Sequence, residues 1–232
     1  EHGQGGSKFD FKANYQDATY PLTFWALKRF YPIEYGQLIR LTLRDQNVIV
    51  REFLDSSEFE KNEEKDGRSN YILSYSALVT LYMLGIDLSE YCEYIVITES
   101  ELACCQQELR KIYSENDASH VGSLRIENDK PFFYESPDEV KRNNVREAVD
   151  FKEYVESFKT CGVTTDLLID GVTNDTLRDL IGTCDYDAIA LSQESGYKLV
   201  TNEIITRLLT KMKGSECEAV SIQDFISEIK LP

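Results

Sequence analysis

Histidine is nearly missing from this 232-residue chain, which has only His2 and His120. A Ser-His-Asp triad or a Cys–His pair needs a histidine beside its nucleophile. One of the two sits in a glycine-rich leader and the other beside a turn, so histidine-dependent hydrolysis is all but closed off. Cysteine carries no pattern either. Cys92, Cys104, Cys105, Cys161, Cys184 and Cys217 contain no C-x-x-C pair, which argues against structural zinc and for reduced, mostly buried thiols in a cytoplasmic protein. No run of about 18 apolar residues occurs, so no membrane span is expected. The start Glu1-His2-Gly3-Gln4 is not a signal peptide, and with no initiator methionine the chain reads as a piece of a longer protein or as carrying a tag remnant. Positive charge is also short. Lysine and arginine total 25 against 41 acids, for a net charge of -16, which disfavours a basic surface that binds phosphate backbones generally.

Core-forming material is plentiful, with 42% hydrophobic and 11% aromatic residues. Length and composition allow one full domain with an appendage, or two small ones. Residues 1–18 are rich in glycine, serine and polar side chains and read as a loose leader. Residues 19–69 read as an extension and linker. Within it, Pro21 introduces Leu22, Phe24, Trp25, Leu27, Phe30 and Tyr31, apolar on much of one helical surface, and Pro32 ends the run. Apolar stretches at 38–43 and 48–50 follow, as a hairpin or as short helices. The charged run 55–70 is most simply a solvated linker, and the main boundary is placed there.

From residue 70 onward the periodicity changes. Apolar strand-like runs at 71–75, 92–97, 197–201 and 218–220 alternate with helical stretches at 76–84, 98–113, 137–158, 174–180, 185–195, 204–211 and 222–231. Gly85 stops the first helix, Thr98-x-x-Glu101 is a capping-box pattern, and Ser221 caps the last helix. Residues 123–134 read as an inserted β-hairpin. Strands apolar throughout, alternating with helices, predict a mainly parallel sheet covered by helices on both faces, a three-layer α/β/α sandwich.

Ligands of such a sheet bind outside the carboxyl ends of the strands, and acids fall there. Glu203 follows the strand at 197–201, and Asp185 and Asp187 open the helix before it. Glu101 and Glu108, two turns apart, share a helix face with Cys104 and Cys105 between them. Carboxylates gathered in a cleft raise one another's pKa unless a divalent cation neutralises them, and oxygen ligands of this kind suit Mg²⁺ or Mn²⁺. Each acid also has a plainer use. Glu101 can complete a capping box, Glu108 can face solvent, Asp185 or Asp187 can be an N-cap, and Glu203 can favour a helix dipole.

The stretch Asp185-Tyr186-Asp187-Ala188-Ile189-Ala190-Leu191, then Gly196, then Lys198-Leu199-Val200-Thr201-Asn202-Glu203, resembles the PIN-domain nuclease family. Tyr71-Ile72-Leu73-Ser74-Tyr75-Ser76-Ala77-Leu78 is similar to that family's opening strand and helix, and Ile95-Val96-Ile97-Thr98 to its second strand. The resemblance spans about residues 70–232. It implies metal-ligand positions at Asp187 and Glu203, a third at Glu101 or Glu108, with Asp185 nearby, and Mg²⁺- or Mn²⁺-dependent cleavage of RNA or single-stranded nucleic acid. Lys198, Arg207, Lys211 and Lys213 are candidates to grip the substrate, although each taken singly is better explained as a cation on a solvated helix end. The family's first strand ends in an aspartate, and here Ser74 stands in that place. Three explanations follow: a degenerate, non-catalytic relative, a deliberately introduced serine, or a different register. The chain also looks like the PIN portion of large bacterial proteins with tetratricopeptide repeats and a Gre-factor-like segment, in which it would serve protein partners or other domains as a regulatory module. A receiver domain ranks below both, because Ser74 leaves its first-strand acid site empty as well.

Overall fold

The computed structural model describes residues 69–117, 122–127, 130–135, 137–215 and 217–229. The leader, the apolar run at 21–32, the stretches at 38–50 and nearly all of the charged run at 55–70 lie outside the described residues.

The order is β1 (Tyr71–Leu73), α1 (Tyr75–Met83), a 3₁₀ segment (Ser89–Tyr94), β2 (Ile95–Thr98), α2 (Glu99–Asp117), the hairpin strands β3 (Gly122–Glu127) and β4 (Lys130–Glu135), and α3 (Asp138–Glu156). Then come β5 (Lys159–Cys161), α4 (Asn174–Ile181), α5 (Thr183–Ser195), β6 (Lys198–Val200), α6 (Ile204–Thr210), β7 (Ala219–Val220) and α7 (Ile222–Glu228). Five strands form one sheet in the order β5-β2-β1-β6-β7, every pairing parallel. The antiparallel hairpin stands apart from that sheet, with Glu127 opposite Lys130.

Alternation along the strands sorts the side chains into two cores. Tyr71, Leu73, Ile95, Ile97, Val200 and Val220 pack with residues of α1, α2, α3 and α7. Ile72, Val96 and Leu199 pack on the other side with α4, α5 and Leu209 of α6. Both faces of the sheet are therefore covered, which is why β1 and β2 read as unbroken apolar runs. Helix α5 buries four consecutive residues, Ala188, Ile189, Ala190 and Leu191, as befits a helix against the sheet's centre. Gly85 (φ +67) and Gly196 (φ +71) take left-handed turns just after α1 and α5, where a side chain would be strained.

Two expectations need correction. Residues 92–94 belong to the 3₁₀ segment, so β2 begins only at Ile95. A fifth strand, β5, was not expected. Its Lys-Thr-Cys run has no buried residue, since it lies at the sheet's edge beside β2, and so it carries no apolar signal.

Phe225 of α7 is fully buried, and its ring meets that of Tyr71 edge-on with centroids 4.9 Å apart. Phe225→Ala leaves a void there. It is expected to cost about 3–5 kcal/mol in urea unfolding; a loss below about 1 kcal/mol would contradict this packing.

Candidate functional site

Four of the five strands leave the carboxyl edge through a hydroxyl residue. Ser74 Oγ accepts from Ala77 N (3.3 Å), Thr98 Oγ1 from Glu101 N (3.2 Å), Thr201 Oγ1 from Glu203 N (3.1 Å) and Ser221 Oγ from Asp224 N (3.0 Å). Each bond satisfies an amide group at or next to the start of the following helix. Ser74 is fully buried, and its hydroxyl also shares a 3.1 Å hydrogen bond with Ser76 Oγ. The end of the central strand thus presents a neutral, engaged group.

The acids near this edge turn to separate partners. Glu101 is fully buried and closes the capping box, its Oε2 accepting from Thr98 N at 2.8 Å, while its Oε1 has no hydrogen-bond partner. Burial pushes its pKa well above the usual carboxylate range; the Thr98 amide opposes that, and Cys184 and Asp185 add to it. Asp185 is buried in the first turn of α5 and accepts from Thr206 Oγ1 of α6 at 2.5 Å. It is not the N-cap, since Gly182 occupies that position. Glu108 is also buried rather than solvent-facing, and accepts from Tyr75 OH at 2.9 Å. Two helical turns place it about 10 Å along α2 from Glu101. Glu203 holds the N-cap position of α6, though its side chain does not cap the helix.

Asp187 is half-buried and faces an open cleft of about 350 Å³ that Glu99, Thr164, Asp166, Arg178 and Thr183 also line. Burial raises its pKa, opposed by the Ser100 hydroxyl and then by Arg178. Arg178 lies 4.3 Å over the Tyr186 ring and 3.9 Å from Asp166. Glu99, Asp166 and Arg178 were not anticipated. The last two flank the stretch that follows the unexpected β5.

The expected substrate cations sit elsewhere. Lys198 begins β6, at the amino edge of the sheet, and pairs with Glu228 (3.0 Å) and Glu218 (3.4 Å). Arg207 is only 3% exposed. Lys211 ends α6, and Lys213 pairs with Asp170 at 3.2 Å.

A hard divalent cation needs several oxygen ligands converging on one point. Among the described residues, no three histidine, cysteine or acidic side chains stand close enough together to hold a metal ion. As placed, these residues do not make a preformed metal centre.

The family model for the PIN domain associated with the TPR-GreAB-C-PIN system matches residues 72–212. The chain belongs to this PIN family. None of the curated proteins matches the chain. Among solved structures, the PIN domain is similar to PAE2754 from Pyrobaculum aerophilum at 18% identity, with 74% of this chain and 98% of that chain covered and a TM-score of 0.42. No helix among the described residues of the PIN domain is long and apolar enough to cross a membrane.

The buried Glu101 gives this PIN domain a pH-dependent weakness. With its folded pKa raised, the native state holds more protons than the unfolded one between the two pKa values, so this group's contribution to stability falls as pH rises through that window. Glu101→Gln keeps an acceptor for Thr98 and removes the buried charge. Its melting temperature relative to the parent is expected to climb between pH 5 and pH 8; a difference independent of pH would contradict the buried, raised carboxyl.

Proposed function

We propose that this PIN domain is a non-catalytic regulatory or protein-interaction module of a larger protein, associated with tetratricopeptide and Gre-related parts, in which the metal-dependent phosphodiester-cleaving centre of its nuclease relatives is not assembled. The observation that carries this reading is Ser74. The residue that ends the central strand, where the family resemblance calls for an aspartate, is a buried hydroxyl already committed to capping α1. The separate engagement of Glu101, Asp185 and Glu108 supports it, because each acid has one carboxylate oxygen tied to a different amide or hydroxyl. The net charge of -16 supports it as well, since such a field repels a nucleic-acid backbone and suits protein partners better. All six cysteines are free, which favours a cytoplasmic setting.

A second reading is favoured by one feature, the cleft where Glu99, Asp166 and Asp187 stand beside Arg178. In it the domain cleaves RNA or single-stranded nucleic acid with Mg²⁺ or Mn²⁺ held by Asp187, Glu203 and Glu101 or Glu108. The ion would supply an activated water and neutralise developing charge.

A fluorescent single-stranded RNA separates the two. The parent chain is expected to leave it intact with Mn²⁺. Ser74→Asp keeps a good helix cap and restores an acid at the strand end, and any cutting it gains should vanish in Ser74→Asp/Asp187→Asn. Mn²⁺-dependent cutting by the parent chain, abolished by Asp187→Asn alone, would overturn the non-catalytic reading and select the second.

A further inference from the structure

The β3–β4 hairpin is carried by two helices that outrun the core. Helix α2 is buried at Cys104, Cys105 and Glu108, α3 at Ala148, Phe151 and Val155, and the two pack against each other. Between Glu108 and Ala148, none of the described side chains is buried. At 1.5 Å per residue, about 14 Å of each helix therefore separates the core from the hairpin. Among the described residues, β3 and β4 pair with each other and with no other strand. A two-stranded ribbon by itself is marginal in water, and its outer edges hold unpaired amide and carbonyl groups.

The two outer edges differ. Strand β4 contains Pro131, which has no amide hydrogen and is accepted in a sheet where its nitrogen faces away from the neighbouring strand. The outer edge of β4 is blunted in this way, whereas β3, Gly-Ser-Leu-Arg-Ile-Glu, has no proline. Charge then decides what the β3 edge accepts. Residues 109–147 hold seven lysines and arginines against eight acids, a net of -1 in a chain of -16. Two copies of this acidic chain thus meet with least mutual repulsion at this arm. The strand is also complementary to itself. When two β3 strands run antiparallel about a two-fold axis at Ile126, position 125 of each stands opposite position 127 of the other, so Arg125 meets Glu127 twice. Moving the axis by one residue sets arginine opposite arginine or glutamate opposite glutamate, and the charges therefore fix the register.

We propose that the outer edge of β3 pairs antiparallel with the same edge of a second copy of the chain, about Ile126, joining two hairpins into a four-stranded sheet. The contact is isologous, one strip serving both copies. A six-residue strand makes a strip smaller than a permanent interface, so the association is weak and depends on concentration. It is independent of whether the domain cuts nucleic acid.

Sedimentation equilibrium of the full chain at about 0.15 M salt, from about 10 μM to about 1 mM, is expected to show monomer and dimer in exchange. Arg125→Glu or Glu127→Arg alone sets like charges opposite at two places and should weaken the dimer about tenfold. The double variant Arg125→Glu/Glu127→Arg exchanges the two charges and should bring association back to near the parent value. That rescue distinguishes lost pairing from lost folding. Arg142→Glu, at an exposed position of α3, makes the same change of charge away from the strand and should leave the dimer nearly as strong. The mass of a single chain at every concentration would overturn the proposal. So would a dimer indifferent to either single variant, one that the double variant fails to restore, or one that Arg142→Glu weakens as much as Arg125→Glu.

Discussion

A chain that turns from a parallel strand into a helix must find acceptors for the first amide groups of that helix, and at a buried sheet edge water cannot supply them. In this domain the acceptors are hydroxyls at the strand ends, Ser74, Thr98, Thr201 and Ser221. That choice shapes everything above the sheet. A hydroxyl caps a buried helix start without bringing a charge into the core. An aspartate at Ser74 would cap equally well but would carry a negative charge into a fully buried position, tolerable only with a counter-charge beside it.

The remaining acids take local partners. Glu101 folds back on the Thr98 amide, Asp185 takes the Thr206 hydroxyl and Glu108 the Tyr75 hydroxyl, each a local solution to the cost of burial. Asp187 alone of the expected ligands looks into the open cleft, where its new neighbours are Glu99, Asp166 and Arg178. Arginine against the Tyr186 ring gives that cleft a fixed positive charge, so its chemistry differs from a purely acidic pit. The geometry describes a PIN domain whose expected acids hold separate hydrogen-bond partners.

Much of the fold was legible because the strands are apolar on both sides and the helices carry their own stop and start residues. The Thr98–Glu101 box, Gly85 and the Ser221 cap were all readable from type and spacing, and the family match over residues 72–212 agrees with the resemblance carried by the 185–203 stretch. Edge strand β5 was not readable, because a strand covered on one side only has no apolar run to show. With it went Asp166 and Arg178. The ion pairs of Lys198 were hidden for a different reason. Its partners Glu218 and Glu228 are brought to it by the packing of β7 and α7, and pairing across such distances leaves no trace in local spacing. Which way a helical acid faces was equally hidden. Glu101 and Glu108 do share a face, as their spacing requires, but that face is buried and the two acids take different partners.

The central claim is that these carboxylates do not converge on a common point. Electron paramagnetic resonance of Mn²⁺ titrated into the parent chain at neutral pH tests it most directly, because bound and free Mn²⁺ differ in signal whether or not any reaction follows. Free Mn²⁺ signal undiminished at protein concentrations of about 0.1 mM is the expected result. Stoichiometric loss of that signal in the parent chain, relieved by Asp187→Asn, would mean that the acids do meet around an ion.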